Sequence, residues 1–284
     1  MFDVIIIGSG PAGISLSLYL HRAGINIVVI GNGYGSLEFA ENIENYYGVK
    51  SPISGKKLIE NGINQALSLG VKIINEEVLN ITSMENFEVT TNKSFYNAKA
   101  VVFATGKARN TLKVKGVSEF TGKGISFCAI CDGFFYKNKN IAVIGNGNYA
   151  ISELNELTNF TKNITLFTNN KPLSIDKIDF NVVNDEIIEI IGDEKVRGIK
   201  TSKATYDVDG IFMALGTASA NDFAKKLGIL IKNNNIVVNN EFSTNLSGIF
   251  AIGDCIGGLL QVAKAVADGA NSAKYIIKYV KSEI

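Results

Sequence analysis

The chain has 284 residues, enough for two domains of ordinary size, each with its own core. Hydrophobic residues make up 46% and charged residues 19%, with a net charge of +1. That balance excludes a disordered chain and gives no global attraction to nucleic acid or an anionic membrane.

Residues 3–7 (Asp-Val-Ile-Ile-Ile) form a buried parallel strand by pattern. A glycine turn follows, then Ile14, Leu16, Leu18, Leu20 and Ala23. The i,i+4 pairs Ile14/Leu18 and Leu16/Leu20, with the length of the run, predict a helix that Gly24 stops. Residues 26–30 give a second strand. Asp3 and Gly8 interrupt the N-terminal apolar run, so no signal peptide is expected. Residues 71–103 read as short strands and turns ending in a buried strand, Ala100–Phe103.

A second strand–helix–strand unit begins about 137 positions after the first. Its strand is 140–144, its turn Gly145-Asn146-Gly147, its helix about Tyr149–Leu157 and its next strand Ile164–Phe167. Asn233–Asn235 and Asn239-Asn240 read as turns. Near the end come a strand, Ile249–Ile252, then Gly253-Asp254 and a final helix from about Val262 to Val280. Alternating strands and helices define the class as α/β. No run of 18 apolar residues occurs, so no membrane span is expected.

Gly8-Ser9-Gly10-Pro11-Ala12-Gly13 lies between the first strand and helix. Gly8 permits a tight turn, Gly10 lets the backbone approach a pyrophosphate, and Gly13 allows close helix–strand packing. The helix N-terminus adds free N–H groups and partial positive charge, so this turn predicts dinucleotide binding. One departure is Gly31, at the position where a generic ribose-binding acid sits.

Cys128-Ala129-Ile130-Cys131-Asp132-Gly133 is the second motif. Two cysteines at this spacing close an exchangeable disulfide. A structural zinc site needs four ligands, and the chain adds only Cys255 and His21, the latter expected on the surface of the first helix. Two inert buried cysteines are the remaining alternative; redox chemistry is the favoured reading. Asp132 is the nearest candidate to exchange a proton with a thiolate, against a plain turn or cap role. Asp254, at the mouth of a buried strand, suits hydrogen bonding to a cofactor's polyol or phosphate linker, against an N-cap role. Cys255 beside it reads as a small buried residue.

Together these segments resemble the low-molecular-weight thioredoxin reductase family nearly end to end. The matching pieces are Gly8–Gly13, Glu44-Asn45, Ala104-Thr105-Gly106, Cys128–Gly133, Gly145–Ala150, Gly253-Asp254 and Gln261–Ala263. The resemblance implies two Rossmann-like three-layer domains. Residues 1–110 and 216–284 would be a discontinuous FAD domain, and 111–215 an inserted NAD(P)-domain-like unit carrying the cysteines. It implies a homodimer in the cytoplasm, with thioredoxin as partner. Cys131 would face the flavin, Cys128 would exchange with the partner, and Asp132 would be the acid/base. FAD would be lined by Gly8, Gly10, Pro11, Ala12, Gly13, Gly31, Leu37, Asn45, Ala104, Thr105, Gly106, Gly253, Asp254, Gln261 and Val262.

The family's NADPH-using members carry His-Arg-Arg after the second unit's strand, where this chain has Thr168-Asn169-Asn170. Losing two charge-assisted bonds to a 2′-phosphate costs about 10²–10⁴ in affinity. The segment that follows is short, and Leu260 replaces a basic residue. Gly145, Gly147 and Ala150 are therefore expected to be a vestigial turn. The chain looks like the branch that takes electrons from reduced ferredoxin. From about −400 mV for a plant-type ferredoxin to about −270 mV for thioredoxin is downhill by roughly 6 kcal/mol for two electrons. Residues 107–139 hold seven basic residues (Lys107, Arg109, Lys113, Lys115, Lys123, Lys137, Lys139) against Glu119 and Asp132. That suits an acidic donor protein, or is an ordinary solvated surface. The alternatives are an NADPH-dependent thioredoxin reductase with a degenerate phosphate site, and a flavin redox sensor without turnover.

Overall fold

A computed structural model describes residues 1–107, 112–173 and 178–282. Arg109 and the expected boundary at 110/111 lie outside the described residues. In chain order the elements are β1 (Phe2–Ile7), α1 (Pro11–Arg22), β2 (Ile27–Gly31), α2 (Gly55–Ser68), β3 (Lys72–Asn75), β4 (Val78–Ser83), β5 (Phe87–Thr91) and β6 (Phe95–Phe103). Then come α3 (Val117–Phe120), β7 (Ile125–Ser126), α4 (Ala129–Asp132), β8 (Ile141–Ile144), α5 (Asn148–Leu157), β9 (Ile164–Phe167) and β10 (Asn181–Val183). They continue with β11 (Ile187–Gly192), β12 (Val196–Thr201), β13 (Thr205–Asp207) and β14 (Gly210–Met213). The last are α6 (Ala220–Lys226), β15 (Ile231–Lys232), β16 (Asn235–Ile236), β17 (Ile249–Ala251) and α7 (Val262–Ser282). The chain divides into two compact units, Met1–Arg109 with Ser219–Ile284, and Asn110–Ala218.

The first unit is built on a seven-stranded sheet in the order β3-β2-β1-β6-β5-β4, with β17 also pairing β6. β1, β2, β3, β6 and β17 run parallel, so their C-terminal ends open on one edge. β1 is almost continuously apolar because both its faces are covered, as parallel sheets require. One face packs Val4, Ile6, Val29, Val102 and Phe250 against Ile14, Leu16 and Leu20 of α1 and Ala273, Ile276 and Val280 of α7. On the other, Phe103 stacks on Phe223 of α6. α1 and α7 approach closely at Gly269, where an added Cβ would lie 2.8 Å from the Leu16 nitrogen. Ser15 donates a hydrogen bond to the Val266 carbonyl across the same contact (2.8 Å).

The second unit holds a five-stranded parallel sheet, β10-β9-β8-β14-β7, and an antiparallel sheet, β11-β12-β13. Ile187, Ile190, Val196 and Ile199 of the latter pack on Ala142, Ile144, Phe167, Ile211 and Met213. α5 contacts β8 and β9 and buries Tyr149, Leu154 and Leu157. Both units are therefore layered α/β structures. The Asn-rich turn forms the β15–β16 hairpin, with Asn233 and Asn234 at φ 51° and 60°, the left-handed region that asparagine tolerates best after glycine. No helix among the described residues is long and apolar enough to cross a membrane.

Candidate active site

Of the residues predicted to bind a dinucleotide, Gly8, Gly13, Gly31, Ala104, Thr105 and Gly253 come together at the carboxyl ends of the parallel strands, where such sheets leave a crevice. Gly8 has φ +114°, and a Cβ there would lie 2.7 Å from the Ala104 carbonyl carbon. A Cβ on Gly13 would collide with the Gly8 carbonyl oxygen. The turn is thus wedged between α1 and the end of β6, which brings Ala104, Thr105 and Gly106 beside it. Gly10 differs: nothing lies within 4 Å of its Cβ position, so the backbone is open to an incoming group. Gly10 caps α1 without a side-chain hydrogen bond, and Pro11 opens the helix. The N–H groups of the first turn are therefore available to an anion.

Gly31 has a physical reason to lack the expected acid. An added Cβ would lie 2.8 Å from the Ser9 nitrogen and 2.9 Å from its Cβ, so no side chain fits. Gly253 has φ +76°, and its Cβ position is 3.0 Å from the Ala12 Cβ, which seats the Gly253–Ile256 turn against the same helix. Asp254 lies in that turn. Asn45 and Gln261, distant in sequence, meet through a hydrogen bond from Asn45 Nδ2 to Gln261 Oε1 (3.1 Å). Val262 begins α7, and Leu37 lies in a short 3-10 segment packed against Gly55 at the start of α2.

The cradle holds one unsatisfied buried group. Thr105 Oγ1 is buried and has no hydrogen-bond partner. An orphaned hydroxyl costs about 1–3 kcal/mol unless something satisfies it. Thr105→Val should therefore leave the cofactor-free protein as stable or more so, while weakening cofactor binding by about tenfold. Thermal melts of both forms and a cofactor titration check this; equal loss in both forms would sink it.

In the second unit Cys128 and Cys131 are joined in a disulfide, with Cα atoms 5.3 Å apart. Cys128 is 2% exposed, whereas Cys131 is exposed. The Cys131 N–H donates to Cys128 Sγ (3.2 Å). Asp132 is held by Ser126, whose hydroxyl donates to Asp132 Oδ2 (2.6 Å) and accepts from the Cys128 N–H (3.1 Å). Burial and the Asp132 charge raise the pKa of nearby Tyr136. Two contributors escaped the sequence reading. One is Ser126. The other is Glu153 of α5, 1% exposed, whose Oε2 accepts from the Ala129 N–H (2.8 Å) and ties the dithiol segment to α5. The surface beside Cys131 is apolar: Phe134 is 70% exposed, Phe135 66% and Ile130 46%. Burial pushes the Cys255 thiol up to about 12, so it stays protonated and inert, as a small core residue does.

Just after β9, Asn169 and Asn170 bond to the chain's own backbone. Asn169 Oδ1 accepts from the Ile187 N–H (2.8 Å), and the Asn170 N–H donates to the Asn184 carbonyl (2.9 Å). Both asparagines are left-handed, at φ 53° and 57°. Asn146, in the second glycine turn, donates through Nδ2 to the Pro172 carbonyl (2.9 Å). In the lysine-rich stretch, Lys115 is paired with Glu189 (2.6 Å) and Lys139 lies over the Tyr136 ring.

A glycine cradle on one parallel sheet and a two-residue-spaced disulfide on a second define a nucleotide-binding disulfide oxidoreductase. The sequence pattern of the pyridine nucleotide-disulphide oxidoreductase family matches residues 2–269. The chain belongs to this family, and membership brings FAD as its cofactor. The chain is 33% identical to the thioredoxin reductase of Listeria innocua over 303 aligned positions, covering 99% of this chain and 94% of that one. It is 32% identical to that of Aquifex aeolicus, with 100% and 94% covered. An atypical thioredoxin reductase from Desulfovibrio vulgaris Hildenborough superposes with a TM-score of 0.94 at 33% identity, covering 100% and 99%. A ferredoxin-flavin thioredoxin reductase from Clostridium acetobutylicum gives 0.73 at 31% identity, covering 99% and 98%.

Proposed function

We propose that this protein is a thioredoxin reductase in which Cys128 and Cys131 carry reducing equivalents to a protein disulfide. The exposed apolar surface around Cys131 is the observation that carries this reading. Ile130, Phe134 and Phe135 offer a desolvatable collar of the kind that binds a protein, next to a sulfur. The thioredoxin reductases among its relatives point the same way. The Gly8–Gly13 turn, Ala104–Gly106, Asp254 and the Asn45–Gln261 pair would hold FAD on the first unit; once reduced by the electron donor, the flavin would supply the electron pair that opens the Cys128–Cys131 disulfide. The resulting Cys128 thiolate attacks the partner's disulfide, expelling one partner thiolate and forming a mixed disulfide. Cys131 then displaces the second partner thiol and re-forms the internal bond. Asp132, oriented by Ser126, exchanges the proton. The first unit is the FAD domain and the second the redox domain; a cytoplasmic homodimer belongs to the same reading.

For the electron donor, two readings have support. The residues after β9 favour reduced ferredoxin. Where a 2′-phosphate would need arginines, Asn169 is engaged with the chain's own backbone and Asn170 is a neutral residue in the same left-handed turn. The ferredoxin-flavin relative from Clostridium agrees. The comparisons as a whole weigh toward NADPH, because the family is defined by pyridine nucleotides and the curated relatives are named simply thioredoxin reductases. Anaerobic mixing decides between them. Under the ferredoxin reading the flavin colour persists in micromolar NADPH and bleaches with reduced ferredoxin. Rapid bleaching by micromolar NADPH establishes the second reading instead. Failure of the chemically reduced protein to reduce thioredoxin, with FAD intact, would leave a redox sensor.

A further inference from the structure

Beside the Gly8–Gly13 turn, the Gly253–Ile256 turn follows β17 and is seated against α1. Gly253 and Gly257 both sit at positive φ, +76° and +78°, and between them lies Asp254. The turn has bonds of its own, from the Gly257 N–H to the Asp254 carbonyl (3.0 Å) and from the Cys255 thiol to the Ile252 carbonyl (3.1 Å). Two side chains of α7 tie its ends down. Lys264, in the first turn of α7, donates through Nζ to the Gly253 carbonyl (2.9 Å) and to the Gly257 carbonyl (2.8 Å). The same ammonium pairs with Asp268 Oδ2, one helical turn on (2.7 Å). That oxygen also accepts from the Gly253 N–H (2.9 Å). The lysine and aspartate side chains are only 20% and 12% exposed.

The network therefore grips both ends of the loop and anchors them to α7. α7 in turn is pressed onto α1 at Gly269, directly behind the phosphate-binding turn. We propose that Lys264 and Asp268 are positioning residues that set the distance between Asp254 and the N-terminus of α1, and so fix the spacing across which FAD is held. This rests on the assignment of Asp254 to the cofactor. An ammonium has three donors, and here two carbonyls and a carboxylate use them. A neutral amide at 264 supplies only two donors and no charge, so it cannot hold the loop at both ends and keep the buried carboxylate paired.

The test is the rate at which FAD leaves the holoprotein on dilution, followed by recovery of flavin fluorescence, in Lys264→Gln, Asp268→Asn and the double variant. Release is expected to speed up by about tenfold in Lys264→Gln. The rise in melting temperature given by saturating FAD should shrink in the same variant. Because both side chains serve one clamp, the double variant should release FAD no faster than the worse single one. A purely architectural network would lower the melting temperature of the free and loaded forms alike and leave FAD release unchanged, and that result would overturn the proposal. Asp268→Asn keeps an acceptor for the Gly253 N–H and the side-chain shape, so it carries the same criterion if Lys264→Gln does not fold. A parent protein that takes up no FAD removes the cofactor assignment itself; a parent that binds it with variants unchanged removes the clamp alone.

Discussion

Replacing Cys128 by serine is expected to abolish thioredoxin reduction, by about 10³-fold or more, while FAD stays bound. Disulfide exchange needs two sulfurs: one to attack the partner and one to release it. With a single thiol the cycle stops at the first mixed disulfide or never starts. The residues proposed to hold the cofactor lie in the other compact unit, so the flavin-to-protein absorbance ratio should match the parent. Turnover assays with chemically reduced enzyme and thioredoxin read the loss directly, and normal turnover would refute the role. The structure adds a condition. Cys128 is buried and Cys131 exposed, so Cys128 must become accessible before it exchanges with a partner. Cys131→Ser tests the division of labour. Cys128 in that variant should hold thioredoxin as a stable mixed disulfide, and Cys131 in Cys128→Ser should not.

Gly13→Ala should cost nearly as much by a different route. Its methyl group meets the Gly8 carbonyl oxygen, and Gly8 cannot retreat because Ala104 stands behind it. α1 must shift off the end of β1 and carry its N–H groups with it. FAD affinity should fall by about 10²-fold, roughly 2.7 kcal/mol, with a stability loss of a few kcal/mol even without cofactor. Gly10→Ala makes a clean contrast, because its methyl enters open space. The cofactor-free protein should melt as the parent does, yet bind FAD more weakly, since that space is where the pyrophosphate approaches. Melting curves of stripped protein separate the two variants; equal behaviour would contradict the assigned roles.

Much of the first unit could be read directly from residue order. Gly8 and Gly24 end β1 and α1, and β1 and β2 are apolar where both faces are covered, so pattern and structure coincide within a residue or two. The same holds for β8, α5 and β9. The sheet β11–β13 was not legible, because β11 is an Ile-Ile-Glu-Ile-Ile run without regular alternation and β13 is only three residues long. α2 was also missed, although Ser54 accepts from the Lys57 N–H as an N-cap and Ile59, Ile63 and Ala66 follow at helical spacing. At the site, motifs identified the cysteines and the glycine turn. They could not reveal Glu153 or the Lys264–Asp268 network. Glu153 meets its partner 24 residues away, and a lysine on an amphipathic helix looks like solvent-facing charge until the loop it holds is seen.

The packing of α7 on α1 also orders events at the ribosome. About 240 residues separate the two helices, and the core of the first unit needs both. The second unit is continuous in sequence and emerges complete while the nascent chain still lacks α7. The second unit can therefore fold during synthesis, whereas the first waits for α7 to leave the exit tunnel. A message truncated before Val262 would yield a folded dithiol module attached to an unclosed, aggregation-prone first unit.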